Sequence, residues 1–284
     1  MEAYRPCSLP EALALRAEHP EALPVAGGTD LMVAINFRRL APTALLDLSR
    51  VAELSGWSRE DGRYRLGAGM TFAQIGRELG QLTALAEASR TVGSPQIRNR
   101  ATIGGNLQTA SPAGDSLPVL AAYDARVILA SASGRRELPV GEFLVGPKRT
   151  SLRGDELIVA VEFAAPAGAG TFAKVGPRSA MVIAVAGVCL QLDERRRAVR
   201  LALGSVGATI LRAPEAERYA EEQLAWADAQ ATLGEAELAE FGHRAAAAAT
   251  PIDDVRGSAA YRRHVVEQLS RRLLGRMLAE RGQT

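Results

Sequence analysis

Val25-Ala26-Gly27-Gly28-Thr29-Asp30-Leu31 and, further along, Ala101-Thr102-Ile103-Gly104-Gly105-Asn106-Leu107-Gln108-Thr109-Ala110-Ser111-Pro112-Ala113-Gly114-Asp115 share one pattern. Each runs from an apolar or β-branched lead-in through a Gly-Gly pair to small hydroxyl and amide side chains. Adjacent glycines let backbone N–H groups turn toward one point with no Cβ in the way. A pyrophosphate is gripped in this manner without the use of Lys or Arg. Two such segments in one chain point to one large phosphorylated cofactor held between two lobes.

The flanking sequence reads as two lobes and a further domain. Ser8 and Glu11 have the spacing of a capping box and predict a helix to about Glu18. Pro24 to Ala26 reads as a strand that delivers the first glycine pair. Thr29 is placed to cap a helix that carries Leu31, Ile35 and Phe37 toward a core, and Ala44 to Leu48 reads as a second strand. In the second lobe Tyr64-Arg65-Leu66 is strand-like, and Gly67-Ala68-Gly69-Met70-Thr71-Phe72 follows. That stretch misses a dinucleotide fingerprint, since Phe72 stands at the third glycine position. Gly67 and Gly69 are therefore read as a strand-to-helix bend, with Thr71 and Gln74 capping a helix to Leu79.

Pro95 to Arg100 predicts a short helical turn, and Asp115 a helix N-cap. Arg126 to Ala130 and Arg135 to Pro139 form a hairpin pattern, and Glu156 to Phe163 a closing strand. Pro166-Ala167-Gly168-Ala169-Gly170 reads as a linker. Beyond it, Thr171 to Lys174, Met181 to Leu192 and Ala198 to Gly204 alternate like an antiparallel meander. Helical sequence follows from Ala213-Pro214, through Ala245 to Ala249, to Ser258–Arg281 with Tyr261, Val265, Leu269 and Leu273 on one stripe.

Composition narrows the class of function. The chain has 284 residues, with 34 basic and 32 acidic side chains. That balance offers no electrostatic case for nucleic acid or membrane binding. No apolar run reaches the ~20 residues of a bilayer span, and no signal peptide pattern is present, so a cytoplasmic protein is expected. Cys7 and Cys189 cannot ligate an iron–sulfur cluster between them. His19, His243 and His264 match no metal or nucleophile spacing, and Asp253-Asp254 alone suggests no two-carboxylate hydrolase.

The second segment, together with Val92-Gly93-Ser94-Pro95-Gln96-Ile97-Arg98-Asn99-Arg100, resembles the FAD-binding (medium) subunit of molybdenum hydroxylases of the carbon monoxide dehydrogenase and xanthine dehydrogenase type. The Ala-Gly-Gly-Thr-Asp loop agrees upstream. The resemblance implies an α+β fold: a two-lobed FAD-binding domain of the vanillyl-alcohol oxidase/PCMH type over residues 1–166, lobes about 1–52 and 53–166. A C-terminal domain of the carbon monoxide dehydrogenase flavoprotein type, with a small antiparallel sheet and helices, would occupy 171–284.

Carried over residue by residue, Ala26, Gly27, Gly28, Thr29, Asp30 and Leu31 would form the first pyrophosphate loop. Thr102, Ile103, Gly104, Gly105, Asn106, Gln108 and Thr109 would form the second. Asp115 would hold ribityl hydroxyls, Ile158 would pack near the isoalloxazine, and Lys174 would lie near the ring. A lysine there would stabilise negative charge on reduced flavin; its plainer reading is a surface strand lysine. The loops offer no Cys or His for a covalent link, so non-covalent FAD is expected, with no metal and no catalytic residue of the chain's own. Arg178-Ser179-Ala180-Met181-Val182 lacks the acidic residues that follow the lysine in members using a nicotinamide acceptor, and Pro147 stands where some members carry an aromatic.

The function implied is electron transfer from the [2Fe-2S] clusters of a small subunit to an external acceptor, in a complex whose large subunit holds molybdenum cofactor. A dimer of heterotrimers is the expected assembly. A self-contained FAD-dependent oxidase or reductase is the alternative, and a cofactor-free binding module a third reading.

Overall fold

A computed structural model describes residues 1–228 and 230–281. In chain order the elements are β1 (Glu2–Tyr4), α1 (Leu9–Glu18), β2 (Leu23–Val25), α2 (Leu31–Asn36), β3 (Ala44–Asp47), a 3-10 turn (Ala52–Leu54), β4 (Trp57–Glu60), β5 (Arg63–Gly67), α3 (Phe72–Glu78), α4 (Thr83–Thr91), α5 (Pro95–Arg98), α6 (Ile103–Thr109) and α7 (Ser116–Ala122). There follow β6 (Arg126–Ser131), β7 (Gly134–Pro139), α8 (Val140–Phe143), β8 (Leu144–Gly146), β9 (Arg149–Thr150), β10 (Leu157–Ala164), β11 (Gly170–Val175), β12 (Ala186–Asp193), β13 (Ala198–Gly204), β14 (Leu211–Arg212), α9 (Pro214–Gln223), α10 (Glu235–Ala247) and α11 (Ala259–Arg281). The fold is α+β.

Two compact units result. One gathers Met1–Ile75, Ser94–Ala110 and Asp124–Ala165; the other gathers Gly76–Gly93, Ser111–Tyr123 and the chain from Pro166 onward. The polypeptide thus crosses between them several times, and α4 and α7 belong with the C-terminal elements.

The first unit holds a parallel sheet of order β1-β3-β2 and an antiparallel sheet of order β4-β5-β10-β6-β7. Strand β10 is central because all but Glu162 of its residues are apolar, and Leu157 to Val161 are all buried. Leu9, Ala12, Leu46, Leu54, Val159 and Ala160 share one core. Helix α1 starts as the spacing of Ser8 and Glu11 requires: the Ser8 hydroxyl accepts from the Glu11 N–H at 3.3 Å. The Glu11 carboxylate reaches one residue further back than a standard box, to the Cys7 N–H. At α3 the box closes fully, with Thr71 N–H donating to Gln74 Oε1 at 2.9 Å and Gln74 N–H to Thr71 Oγ1 at 3.2 Å.

In the second unit β11-β12-β13-β14 form an antiparallel sheet. Its core joins Val188, Leu190, Leu201 and Leu203 of the strands to Phe241 of α10 and Val266, Leu274 and Leu278 of α11. Cys189 is fully buried, and desolvation pushes its thiol pKa up, so it is an inert core residue.

Several local expectations need correction. Helix α2 buries none of its residues, and Phe37 is 69% exposed, so this helix is not a core element. Its N-cap position is Asp30 rather than Thr29, with no side-chain cap bond. Residues Met181 to Val185 form no strand; β12 begins only at Ala186. The buried face of α11 runs from Arg262, Val265 and Val266 through Ser270, Leu273 and Leu274 to Met277 and Leu278, and Tyr261 lies outside it. Strand β1 has no sequence signal of its own, being three residues that only pairing with β3 makes regular.

Candidate functional site

The first glycine pair follows directly from β2. Gly28 has φ +73°, a left-handed conformation that suits glycine and bends the chain out of the strand. Among the described residues the N–H groups of Gly27, Gly28, Thr29 and Asp30 find no acceptor within the chain, and α2 begins at Leu31. Four successive N–H donors at a bend thus stand free just ahead of a helix start.

The second pair is built differently. Gly104 and Gly105 form no loop; they lie in the first turn of α6, whose N-cap is Thr102. The donors there are already used. Ile103 N–H donates to Met70 O and Gly104 N–H to Ala68 O, at 3.0 and 2.9 Å, and Gly105 N–H donates to Thr102 Oγ1 at 3.0 Å. Gly104 is needed for packing, since a Cβ there would lie 2.6 Å from Ala68 Cβ and 2.8 Å from its carbonyl oxygen. Ile103 and Thr102 are buried, whereas Gly105, Asn106, Gln108 and Thr109 form the accessible side of α6.

The two glycine segments meet in the first unit. The backbone of Arg100 and Ala101 occupies the space a Gly27 side chain would need. Thr109 Oγ1 donates to Asp30 Oδ2 at 3.4 Å. Ile158 is also in this unit, buried on β10 beside a bulge. Gly67 and Gly69 do more than bend the chain: a Cβ on either would collide with the Leu54 carbonyl.

Asp115 and Lys174 lie in the second unit and touch each other. Lys174 Nζ is 2.5 Å from Asp115 Oδ2, and the two side chains are only 8% and 6% exposed. The ammonium also donates to the carbonyls of Thr91 at 3.0 Å and Val182 at 3.1 Å. The Thr91 hydroxyl donates to Asp115 Oδ2 at 3.0 Å. Lys174 is therefore no surface strand lysine, and Asp115, although it stands at the N-cap position of α7, makes no cap bond. Burial pushes the Asp115 carboxyl pKa up, opposed by the Lys174 charge and by the hydrogen bonds from Lys174 and Thr91.

Thr91 was missed from the sequence. Its partners are 24 and 83 residues away, and no local pattern marks such a contact. Among the described residues no group of His, Cys, Asp and Glu is placed to hold a metal ion, and no helix is long and apolar enough to cross a membrane.

Comparison with known proteins finds clear relatives. Residues 1–166 match the FAD binding domain in molybdopterin dehydrogenase, and residues 171–277 match the CO dehydrogenase flavoprotein C-terminal domain. The chain is 30% identical to the xanthine dehydrogenase FAD-binding subunit of Escherichia coli O157:H7, over 98% of this chain and 96% of that protein. It is 34% identical to the nicotinate dehydrogenase FAD-subunit of Eubacterium barkeri, over 78% and 79% of the two chains. Among solved structures, a chain of carbon monoxide dehydrogenase from Hydrogenophaga pseudoflava superimposes with a TM-score of 0.87 at 28% identity, covering 99% of this chain and 98% of that one.

Proposed function

Since the chain belongs to the family of FAD-binding subunits of molybdopterin dehydrogenases, we propose that it carries electrons from the [2Fe-2S] clusters of a small partner subunit to an external acceptor. It is a flavoprotein component of an oxidoreductase, and FAD is its cofactor. The observation that carries the site assignment is the run of free N–H groups from Gly27 to Asp30, which suits a pyrophosphate.

In this reading Ala26 to Leu31 hold the pyrophosphate. Gly105 lets backbone approach the cofactor, with Asn106, Gln108 and Thr109 offering hydrogen bonds from the accessible side of α6. Thr102, Ile103 and Gly104 serve by setting the position of that turn. Asp115 binds ribityl hydroxyls, Ile158 packs near the ring, and Lys174 places positive charge toward it. Bound FAD supplies the electron chemistry itself; the protein contributes binding, orientation and electrostatics. The attachment is non-covalent. Acid precipitation of the purified yellow protein releases the flavin to the supernatant; flavin retained in the pellet refutes that attachment.

The [2Fe-2S] clusters are assigned to a small partner subunit, since two cysteines, Cys7 and Cys189, are too few to ligate one, and substrate oxidation to a large molybdenum-cofactor subunit. We further assign the assembly as a dimer of heterotrimers in the cytoplasm, with sequence modules 1–166 and 171–284. Co-expression with the neighbouring reading frames and pull-down yields a three-component complex containing flavin, iron and molybdenum. Robust substrate turnover by this chain with FAD alone establishes a self-contained oxidase instead.

A further inference from the structure

Of the 34 basic residues only Lys148 and Lys174 are lysines. Lys148 is exposed, while Lys174 is buried against Asp115. One of the carbonyls that hold the Lys174 ammonium belongs to Val182, in the connection of residues 176–185 between β11 and β12. That connection has no regular structure; Met181 and Ile183 within it are exposed, and side-chain burial holds only its C-terminal end, at Ala184 and Val185.

The backbone at that end is tied down by a charged side chain far along the sequence. Arg262, on the first turn of α11, is 2% exposed and donates to Val185 O at 2.7 Å, to Ser205 O at 2.8 Å and to Asp254 Oδ1 at 2.6 Å. The Val185 N–H donates in turn to Val175 O at 2.7 Å. Val185 is thus tied on both sides, three residues after the carbonyl that grips Lys174. Gly176 lets the connection fold back, because a Cβ there would occupy the space of the Val182 side chain. A guanidinium is suited to this work: several donors in a rigid fork satisfy carbonyls and a carboxylate at once, which an ammonium cannot reproduce.

We infer that Arg262, oriented by Asp254, is a positioning residue for Lys174: through Val185 it fixes the connection 176–185 and keeps the Val182 carbonyl on the ammonium beside Asp115. The consequence for the cofactor rests on the proposed role of Lys174 toward the flavin. Arg262 itself makes no hydrogen bond to Lys174.

Amine acylation tests this cleanly, because Lys148 and the N-terminus are the only other amines in the chain. The full-length protein, with and without added FAD, is treated with an acylating reagent, and modification of each lysine is followed by peptide mass spectrometry. Arg262→Lys and Asp254→Asn are compared with wild type and with Arg281→Ala, which removes an ion pair to Glu194 elsewhere in the second unit. Arg262→Lys adds one amine, resolved on its own peptide. Circular dichroism establishes that each variant is folded.

Lys174 is expected to react at least several-fold faster in Arg262→Lys and Asp254→Asn, with Lys148 unchanged and Arg281→Ala like wild type. Folded variants whose Lys174 reacts at the wild-type rate overturn the inference. Should Arg262→Lys fail to fold, Asp254→Asn, which keeps the arginine and alters a half-buried carboxylate, decides alone. A FAD titration of the same variants separates the two readings. Faster acylation with weakened FAD binding supports both. Faster acylation with unchanged FAD binding and flavin spectrum supports the positioning role and removes Lys174 from the flavin site.

Discussion

The carbonyl oxygen of Arg100 lies where a side chain on Gly27 would begin, so the two glycine-bearing segments meet backbone against backbone. Gly27 is consequently a packing residue as well as a donor. Gly27→Ala is expected to destabilise the protein by roughly 1–3 kcal/mol, the usual cost of overpacking. Calorimetry of the FAD-free protein measures it, and an unchanged melting temperature contradicts the close approach.

Gly105 behaves oppositely. A Cβ there meets only the Thr102 hydroxyl, at 3.0 Å, and the position is exposed. Gly105→Val should fold with a melting temperature near wild type yet bind FAD at least tenfold more weakly. Fluorescence titration with FAD checks this. Normal affinity removes Gly105 from the cofactor site.

Gly67→Ala is a sterner test than its sequence context suggests. At an unstrained bend alanine would stabilise the protein by about 0.4–1 kcal/mol. With the Leu54 carbonyl in the path of the new Cβ, the loss should reach about 1–3 kcal/mol, without any effect on FAD affinity beyond that of stability. Denaturant unfolding with an unchanged midpoint would show that the strand end yields freely.

Lys174→Met leaves the Asp115 carboxylate buried without its cation, and should cost about 3–5 kcal/mol. Replacing both members, as Lys174→Met with Asp115→Leu, should recover much of that loss in the FAD-free protein. A double-mutant cycle in urea measures the coupling; additive single losses argue that the pair is not formed in solution.

Glu156 provides the acid-side prediction. Its carboxylate receives two bonds from Arg136, at 2.5 and 2.7 Å, and one from the Arg153 N–H at 2.8 Å. The Arg136 hydrogen bonds hold its pKa below the usual carboxylate range. A depressed folded-state pKa adds stability that is present above the unfolded-state pKa and is lost as pH falls through the folded value. The loss therefore falls below about pH 4. Glu156→Gln should be less stable than wild type at neutral pH, with the gap closing as the pH drops through that range. A gap that stays constant with pH contradicts the assignment.

The sequence alone determined those features whose causes are short-range. The caps at Ser8 and Thr71 depend on residues three apart, the hairpin of β6 and β7 on alternation around a turn, and the glycine segments on the absence of a side chain. The family resemblance was equally legible, because its motifs are contiguous. Tertiary structure alone decided what those residues do to one another. It showed that the second glycine pair has spent its donors on Met70, Ala68 and Thr102, that α2 lies on the surface, and that α4 and α7 join the C-terminal unit. It also paired Lys174 with Asp115, and tied Arg262 to Val185 across 77 residues. A buried charge must find its partner wherever the chain happens to bring one, and no periodicity of nearby residues encodes that meeting.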